Sequence, residues 1–446
     1  MNLRKRIVLQ VLPRLRSDSA ATQNLSFCLA ACVVLFALSL LRYWVTFDMT
    51  SVVPDAPEPW RIANSLRTTG HFSNPFDPLE TGPTAHLAPA YPTFLALVTK
   101  VFGVQRVGGY AYVFAAVLTV SVLLGLFPVV SRLLGMGVLT GVLAACVWLV
   151  ARPPLFASWE VTYAGLLIVI ATCCFCRVLW SAAPHRGATL LLGFLMGLLT
   201  LLIPTCAPVF LCWVIWLALI WRASLFRAHA AALILLPAMI VSPWIVRNYL
   251  VFDRVIFVRD NLGLELAVSN NDCAAFGLRT NMGSGCFQKF HPNGSVGEAA
   301  KVLALGEARY NEVRLHEAAI WIAGNAGRFM SLCAQRFVAF WLPHEDETTI
   351  LPPGRKRERF CVYLMTFLSI IGLWVTARRD IRSAAVCAIW LGIFPIIYYV
   401  VQYEDRYRYP IMWVTMLLGA VPLSLAVQWL WNWSVGRVID AVDGNQ

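Results

Sequence analysis

The sequence predicts an all-α polytopic membrane protein, with about 10 transmembrane helices and two long extracytoplasmic loops that contain juxtamembrane helices. Three observations predict it. Of 446 residues, 59% are hydrophobic and 13% charged, whereas an average soluble protein carries about 25% charged residues. Windows of about 20 apolar residues, enough to cross a bilayer as a helix, recur along the chain. The basic residues then fall mostly in one alternate set of the connections between those windows. The same composition excludes an ordinary soluble domain and an intrinsically disordered chain.

The first apolar run begins near Leu25, after Arg4-Lys5-Arg6, Arg14 and Arg16. It is too long for a signal-peptide core and reads as an uncleaved first span. Further spans are expected near 109–131, 134–150, 159–180, 187–203, 206–221, 229–247, 360–377, 384–402 and 409–432, the first occupying 25–47. With the N-terminus inside, the inner connections hold fourteen basic residues, including Arg132, Arg177, Arg186, Arg222, Arg227, Arg378, Arg379, Arg382 and Arg437. The short outer connections hold only Arg152, Arg406 and Arg408. Both termini are therefore expected in the cytoplasm. The net charge of +12 becomes an orientation signal and needs no nucleic acid.

The expected organisation is a basic N-terminus over 1–24, a transmembrane catalytic core over 25–247, and a first outer loop over 48–108. A second outer loop over 248–359 precedes C-terminal helices over 360–432 and a tail over 433–446. The stretch 317–342 carries Glu317, Asn325, Arg328, Gln335 and Arg336. It reads as an amphipathic helix on the membrane; a crossing there would invert everything after it.

Eleven of the thirteen cysteines lie in apolar segments, where they behave as small hydrophobes. Cys273 and Cys286 lie in the second outer loop, where an oxidising compartment permits a disulfide. No metal-ligand spacing is present, because the seven histidines are scattered. Nor is there a phosphate-binding glycine loop that would support nucleotide chemistry on the inner side.

The chemistry-bearing residues lie on the outer side. Asp55 and Glu58 follow the first span, and residues 59–68 can form a helix whose N-terminal turn favours a carboxylate. Glu58 on that ground alone is a plain helix acid. Three prolines, at 83, 89 and 92, stiffen the entry to a short apolar helix near 91–103. At this length it should lie along the surface, with Tyr91 at the interface. Arg247 ends a span and either anchors it or meets a lipid phosphate. In Tyr403-Glu-Asp-Arg-Tyr-Arg-Tyr-Pro, Arg406 and Arg408 alternate with tyrosines. They suit an anionic headgroup or a pyrophosphate, or else a local salt-bridge knot. Together these features describe a site for an anionic, lipid-linked substrate.

Four stretches resemble bacterial integral-membrane glycosyltransferases of the C superfamily, in the protein-mannosyltransferase and aminoarabinose-transferase-like group that uses polyprenyl-phosphate-linked sugars. They are Glu58-x-x-x-Ile62-Ala63-x-Ser65-Leu66 with Gly70-His-Phe-Ser-Asn-Pro-Phe76; Thr81-Gly-Pro-Thr-Ala85 with Pro89-x-Tyr91-Pro92; Pro243-Trp-x-x-Arg247 running to Glu265-Leu and Asn270-Asn271; and Arg406-Tyr-Arg408-Tyr-Pro410-Ile411. The resemblance implies an inverting transfer from a polyprenyl-phosphate sugar to a lipid, glycan or protein acceptor. It places the active site on the extracytoplasmic face of a bacterial cytoplasmic membrane. Glu58 and Asp55 become the catalytic acids, with Asp48 a further candidate, because Pro57 and Pro59 flank Glu58 where relatives carry an acidic pair. His86, Tyr91, Arg247, Arg406 and Arg408 become the substrate-binding candidates. No cofactor is fixed, and a divalent cation is left open. The alternative is a transporter or flippase for lipid-linked saccharides, which would favour internal repeats and polar, broken helices at the midplane; neither is evident here.

The orientation has a direct check. A single cysteine replacing Ser295 should react with an impermeant thiol reagent added outside, and one replacing Arg379 should not; the reverse pattern would invert the map.

Overall fold

The computed structural model describes residues 18–46, 57–77, 79–103, 106–151, 153, 155–344 and 356–443. Asp48 and Asp55 lie outside them. Among the described residues the fold is helical, with only two isolated bridges, Ser73 to Pro83 and Gly277 to Tyr403. Among the described residues, seven helices are long and apolar enough to cross a membrane: Leu25–Val45, Gly109–Leu133, Glu160–Trp180, Ala223–Phe252, Arg359–Arg379, Ile381–Tyr399 and Asp405–Ser434. Three shorter apolar helices, Val138–Ala151, Arg186–Leu202 and Pro204–Ile220, coincide with the other three segments expected to span.

The spans pack by close approach of backbones, which small residues permit. A Cβ on Gly372 would sit 1.8 Å from the Leu418 carbonyl, so the helices Lys356–Arg379 and Met412–Asp443 touch there and only glycine fits. Apolar residues such as Val33, Val45 and Met239 point outward and are exposed, as a lipid-facing surface requires.

Two elements differ from the sequence reading. The helix expected to lie along the surface, Ala90–Phe102, is packed on one side. Tyr91 is buried at 2% exposure, and its hydroxyl donates to the Ala157 carbonyl at 3.0 Å, whereas Leu97, Val101 and Phe102 are exposed. The helix is half-sunk in the protein, with Tyr91 on its inner face. Secondly, the stretch 317–342 is two helices, Glu307–Gly324 and Ala326–Trp341, broken at Asn325. Neither is among the helices apolar enough to span.

A second small core joins Leu264, Val268, Val302 and Tyr310 to Phe76. Phe76 comes from the connection before helix Ala90–Phe102, so the two regions pack as one. A disulfide joins Cys273 and Cys286, 13 residues apart, restricting the unfolded chain by about 3 kcal/mol for a loop of this length. Arg336, fully buried, ties this region to the connection near 400. Its guanidinium donates to the Ser269 carbonyl, to the Val400 carbonyl at 2.9 Å and to Asn270 Oδ1 at 3.0 Å.

Candidate active site

The site begins with a helix start. Pro57 and Pro59 occupy the first turn of helix Pro57–Thr69, where a residue without an N–H loses nothing. Between them stands Glu58, an acid in the first turn, where the helix dipole favours negative charge. The helix ends at Gly70, whose φ is 75° and whose N–H returns to the Leu66 carbonyl at 3.1 Å. The chain then doubles back. Asn74 N–H donates to Gly82 O at 2.9 Å, and Thr84 N–H to Phe72 O at 3.1 Å. Asn74 holds a left-handed φ of 58°, and its Oδ1 accepts the Gly82 N–H at 2.8 Å.

This turn delivers residues 84–86 into a set of clamps. Glu307 accepts from the Thr84 hydroxyl and, at 2.6 Å, from the Ala85 N–H. Arg247 donates to the Thr84 carbonyl at 2.8 Å and to the Phe72 carbonyl at 2.9 Å, with its guanidinium 4.8 Å from the Trp244 ring centre. Arg259 Nε donates to the His86 carbonyl at 3.0 Å, and the Asp260 N–H to the Ala85 carbonyl at 2.9 Å. His86 is thereby held facing Glu58.

Glu58 is the acid of the site, with a side chain 13% exposed. Its Oε1 accepts from Asn293 Nδ2 at 2.7 Å and lies 3.9 Å from His86 Nε2 and 3.7 Å from His291 Nε2. Burial pushes its pKa up to about 7; Glu265 and Glu160 raise it further, and Arg406 and Arg259 oppose them. Burial also pushes Glu265 up and both imidazoles down, His291 to about 3, so both rings are neutral.

The histidine–carboxylate separations are too long for hydrogen bonds. Yet donor atoms of Glu58, His86 and His291 all lie within 4.8 Å of one another. A cation with contacts of about 2 Å would bridge these gaps, and neutral imidazoles with a carboxylate are suitable donors. One adjustment is needed. His291 Nδ1 accepts the Asn293 N–H at 3.1 Å, which puts the neutral ring's proton on Nε2. A cation at Nε2 requires Nδ1 to give up that bond. Sequence spacing missed this cluster because its members come from two outer segments and meet only through the fold.

The expected arginines separate. Arg406 belongs to the site: it pairs with Glu404 at 2.6 Å, lies 3.3 Å from the Trp159 ring centre and acts on Glu58. Glu404, nearly fully buried, is pushed up to about 8 by burial, with Arg406 opposing. Arg408 goes elsewhere. It is 3% exposed and donates to the Trp341 carbonyl at 2.6 Å, Thr366 Oγ1 at 2.7 Å and Thr415 Oγ1 at 3.1 Å. Arg247 is likewise occupied by the loop it clamps. Both act as braces between segments, as does Tyr91 through Ala157. Of the expected group, Glu58, His86 and Arg406 come together; Glu265, Arg259, His291 and Asn293 join them without having been singled out for such roles.

A scan against models of protein families finds no match, and a search of curated proteins finds none. Solved structures do match. The archaeal oligosaccharyltransferase AglB from Archaeoglobus fulgidus, in complex with an inhibitory peptide and a dolichol-phosphate, aligns with a TM-score of 0.54 and 15% identity. The alignment covers 93% of this chain and 52% of that one. The Archaeoglobus fulgidus oligosaccharyltransferase in complex with Zn and sulfate aligns over 90% of this chain and 49% of that one, with a TM-score of 0.53 and 16% identity. ArnT from Cupriavidus metallidurans, bound to undecaprenyl phosphate, covers 88% of this chain and 77% of its own at 15% identity, with a TM-score of 0.39. The chain spans about half the length of the oligosaccharyltransferase. At these identities the likeness concerns the fold alone: this chain shares the fold of the aligned half of that oligosaccharyltransferase structure.

The Glu307 clamp gives a pH-dependent expectation. Burial pushes its carboxyl from an ordinary 4.5 up to about 8, against the bonds from Thr84 and Ala85. Between those values the folded chain holds a proton that the unfolded chain has released. Its contribution to stability is therefore greatest below pH 4.5 and is lost as pH rises through 8. Thermal unfolding in detergent should show Glu307→Gln gaining on the wild type as pH goes from 5 to 8. A pH-independent difference contradicts the assignment.

Proposed function

We propose that the chain is an inverting membrane glycosyltransferase. It moves a sugar from a polyprenyl-phosphate donor to a lipid, glycan or protein acceptor at the outer face of a bacterial cytoplasmic membrane. The proposed topology has ten spans with both termini inside. The observation that carries the reading is the acid centre of Glu58, Glu265 and Arg406, assembled from three outward segments on an oligosaccharyltransferase fold. The archaeal oligosaccharyltransferase that the chain resembles in fold holds a dolichol-phosphate, which agrees with a donor of this class.

The acceptor hydroxyl or amine attacks the anomeric carbon as the bond from that carbon to the phosphate oxygen breaks. The acceptor's proton passes to a carboxylate, and polyprenyl phosphate leaves with the electron pair. The sugar emerges inverted. Asp55 is assigned the proton-accepting role, because Glu58 is engaged by Asn293 and turned toward two imidazoles. Arg406 supplies positive charge where the phosphate departs; Trp159 beneath its guanidinium holds that charge in place. Glu58, His86 and His291 would hold a divalent cation, and such an ion supplies further positive charge at the acid centre.

The test is transfer from a radiolabelled polyprenyl-phosphate sugar by purified protein. Asp55→Asn should lower turnover by about 10²-fold or more while leaving bound metal unchanged. Glu58→Gln should lower both turnover and metal content, measured by elemental mass spectrometry. Wild-type rates in both variants would overturn the catalytic assignment.

A further inference from the structure

Next to the acid centre, the second outer segment encloses a cavity of about 370 Å³, a volume that suits a small ligand. Its floor includes Ala267 and Ala318, which are buried. Phe290 and Trp321 give it aromatic walls. Asp272, Lys289 and Glu317 line it with charge of both signs, and all three are exposed.

The walls are held in place before any ligand arrives. Trp321 Nε1 donates to Asp272 Oδ1 at 2.7 Å, and Arg328 donates to the Asp272 carbonyl at 3.0 Å. Arg314 pairs with Glu317. The disulfide from Cys273 to Cys286 fastens the Asp272 turn to the helix Cys286–Phe290, which carries Lys289 and Phe290. Such preorganisation lowers the entropy lost on binding.

This combination selects a ligand chemistry. A sugar ring has C–H faces that lie against aromatic side chains and a rim of hydroxyls. Those hydroxyls donate to carboxylates and accept from an ammonium. A phosphate would meet two carboxylates and a single lysine. A wholly apolar ligand would offer Asp272, Lys289 and Glu317 no polar group in exchange for the water it displaces.

The cavity also shares elements with the acid centre. Helix Leu262–Ser269 presents Ala267 to the cavity and carries Glu265, which acts on Glu58. Helix Cys286–Phe290 runs directly into His291, whose ring stacks on Phe287 with centres 4.4 Å apart.

We propose that this cavity is a saccharide subsite that seats sugar rings of a glycan acceptor while transfer takes place at the neighbouring acid centre. Its link to transfer rests on the transferase reading; its capacity to bind sugar does not. The experiment is therefore a binding measurement. Saturation-transfer NMR on the full-length protein in detergent uses maltotriose, chitotriose and mannotriose, with a Ser/Thr-rich octapeptide as the rival probe. At least one sugar should receive saturation at its ring protons. Trp321→Leu should weaken that binding roughly tenfold or more, and so should Lys289→Ala, a surface change that leaves the fold intact. Asp55→Asn should abolish transfer and keep the binding, which separates failure of this site from failure of the transferase reading. Binding by none of the sugars, sugar binding indifferent to both substitutions, or binding of the peptide alone would each overturn the proposal.

Discussion

The clamp on residues 84–86 is the constraint on which the rest of the site depends. Glu307, Arg247, Arg259 and the Asp260 amide, all from the chain beyond residue 246, hold three consecutive residues of the first outer segment. A buried carboxyl, pushed up to about 8, and a half-buried guanidinium are costly to leave without partners; the carboxyl meets the Thr84 hydroxyl and the Ala85 N–H, and the guanidinium two backbone carbonyls. The return is positional. His86 cannot leave the vicinity of Glu58 without breaking several charge-assisted hydrogen bonds at once, each worth about 1.5–3 kcal/mol.

Charge near a membrane surface is divided between two tasks in this molecule. Arg247, Arg336 and Arg408 donate to carbonyls, hydroxyls and side-chain amides, joining segments distant in sequence. Arg406 differs in lying among acids, opposite Glu404 and within the field of Glu58 and Glu265. Its charge is balanced only in part by one partner and is directed at the place where an anionic group would be bound. The two arginines of Arg406-Tyr-Arg408 thus have unrelated duties, because a two-residue step in a tight helical turn points them in different directions.

Most of the scaffold was legible in the sequence. Apolar length marks the long spans, and the contrast between runs such as 109–131 and the polar stretch after 252 marks the long connections between them. Glu58 was legible through its place after the first span and between two prolines. What could not be read was pairing across large sequence distances. His291 and Asn293 reach Glu58 over more than 230 residues, and nothing in their local sequence records that contact. Glu265 was visible only as part of a matching stretch, without a role. Tyr91 and Arg408 carried the composition of surface residues, yet they lie inside, because a phenol or a guanidinium can be buried once backbone carbonyls take up its hydrogen bonds.

Arg406 is proposed to seat the phosphate of a polyprenyl phosphate, the carboxyls of Glu58 and Glu404 beside it being pushed by burial to about 7 and about 8 and so only weakly opposed to an anion. Native mass spectrometry of the full-length protein, released from detergent with added undecaprenyl phosphate, tests it most directly. The variant to compare is Glu404→Gln/Arg406→Gln, which removes both members of the ion pair and leaves neither charge buried alone. The account predicts a bound lipid phosphate on the wild type and its loss from the double variant, with both proteins equally folded. Equal occupancy of the two proteins, or none on the wild type, would contradict it.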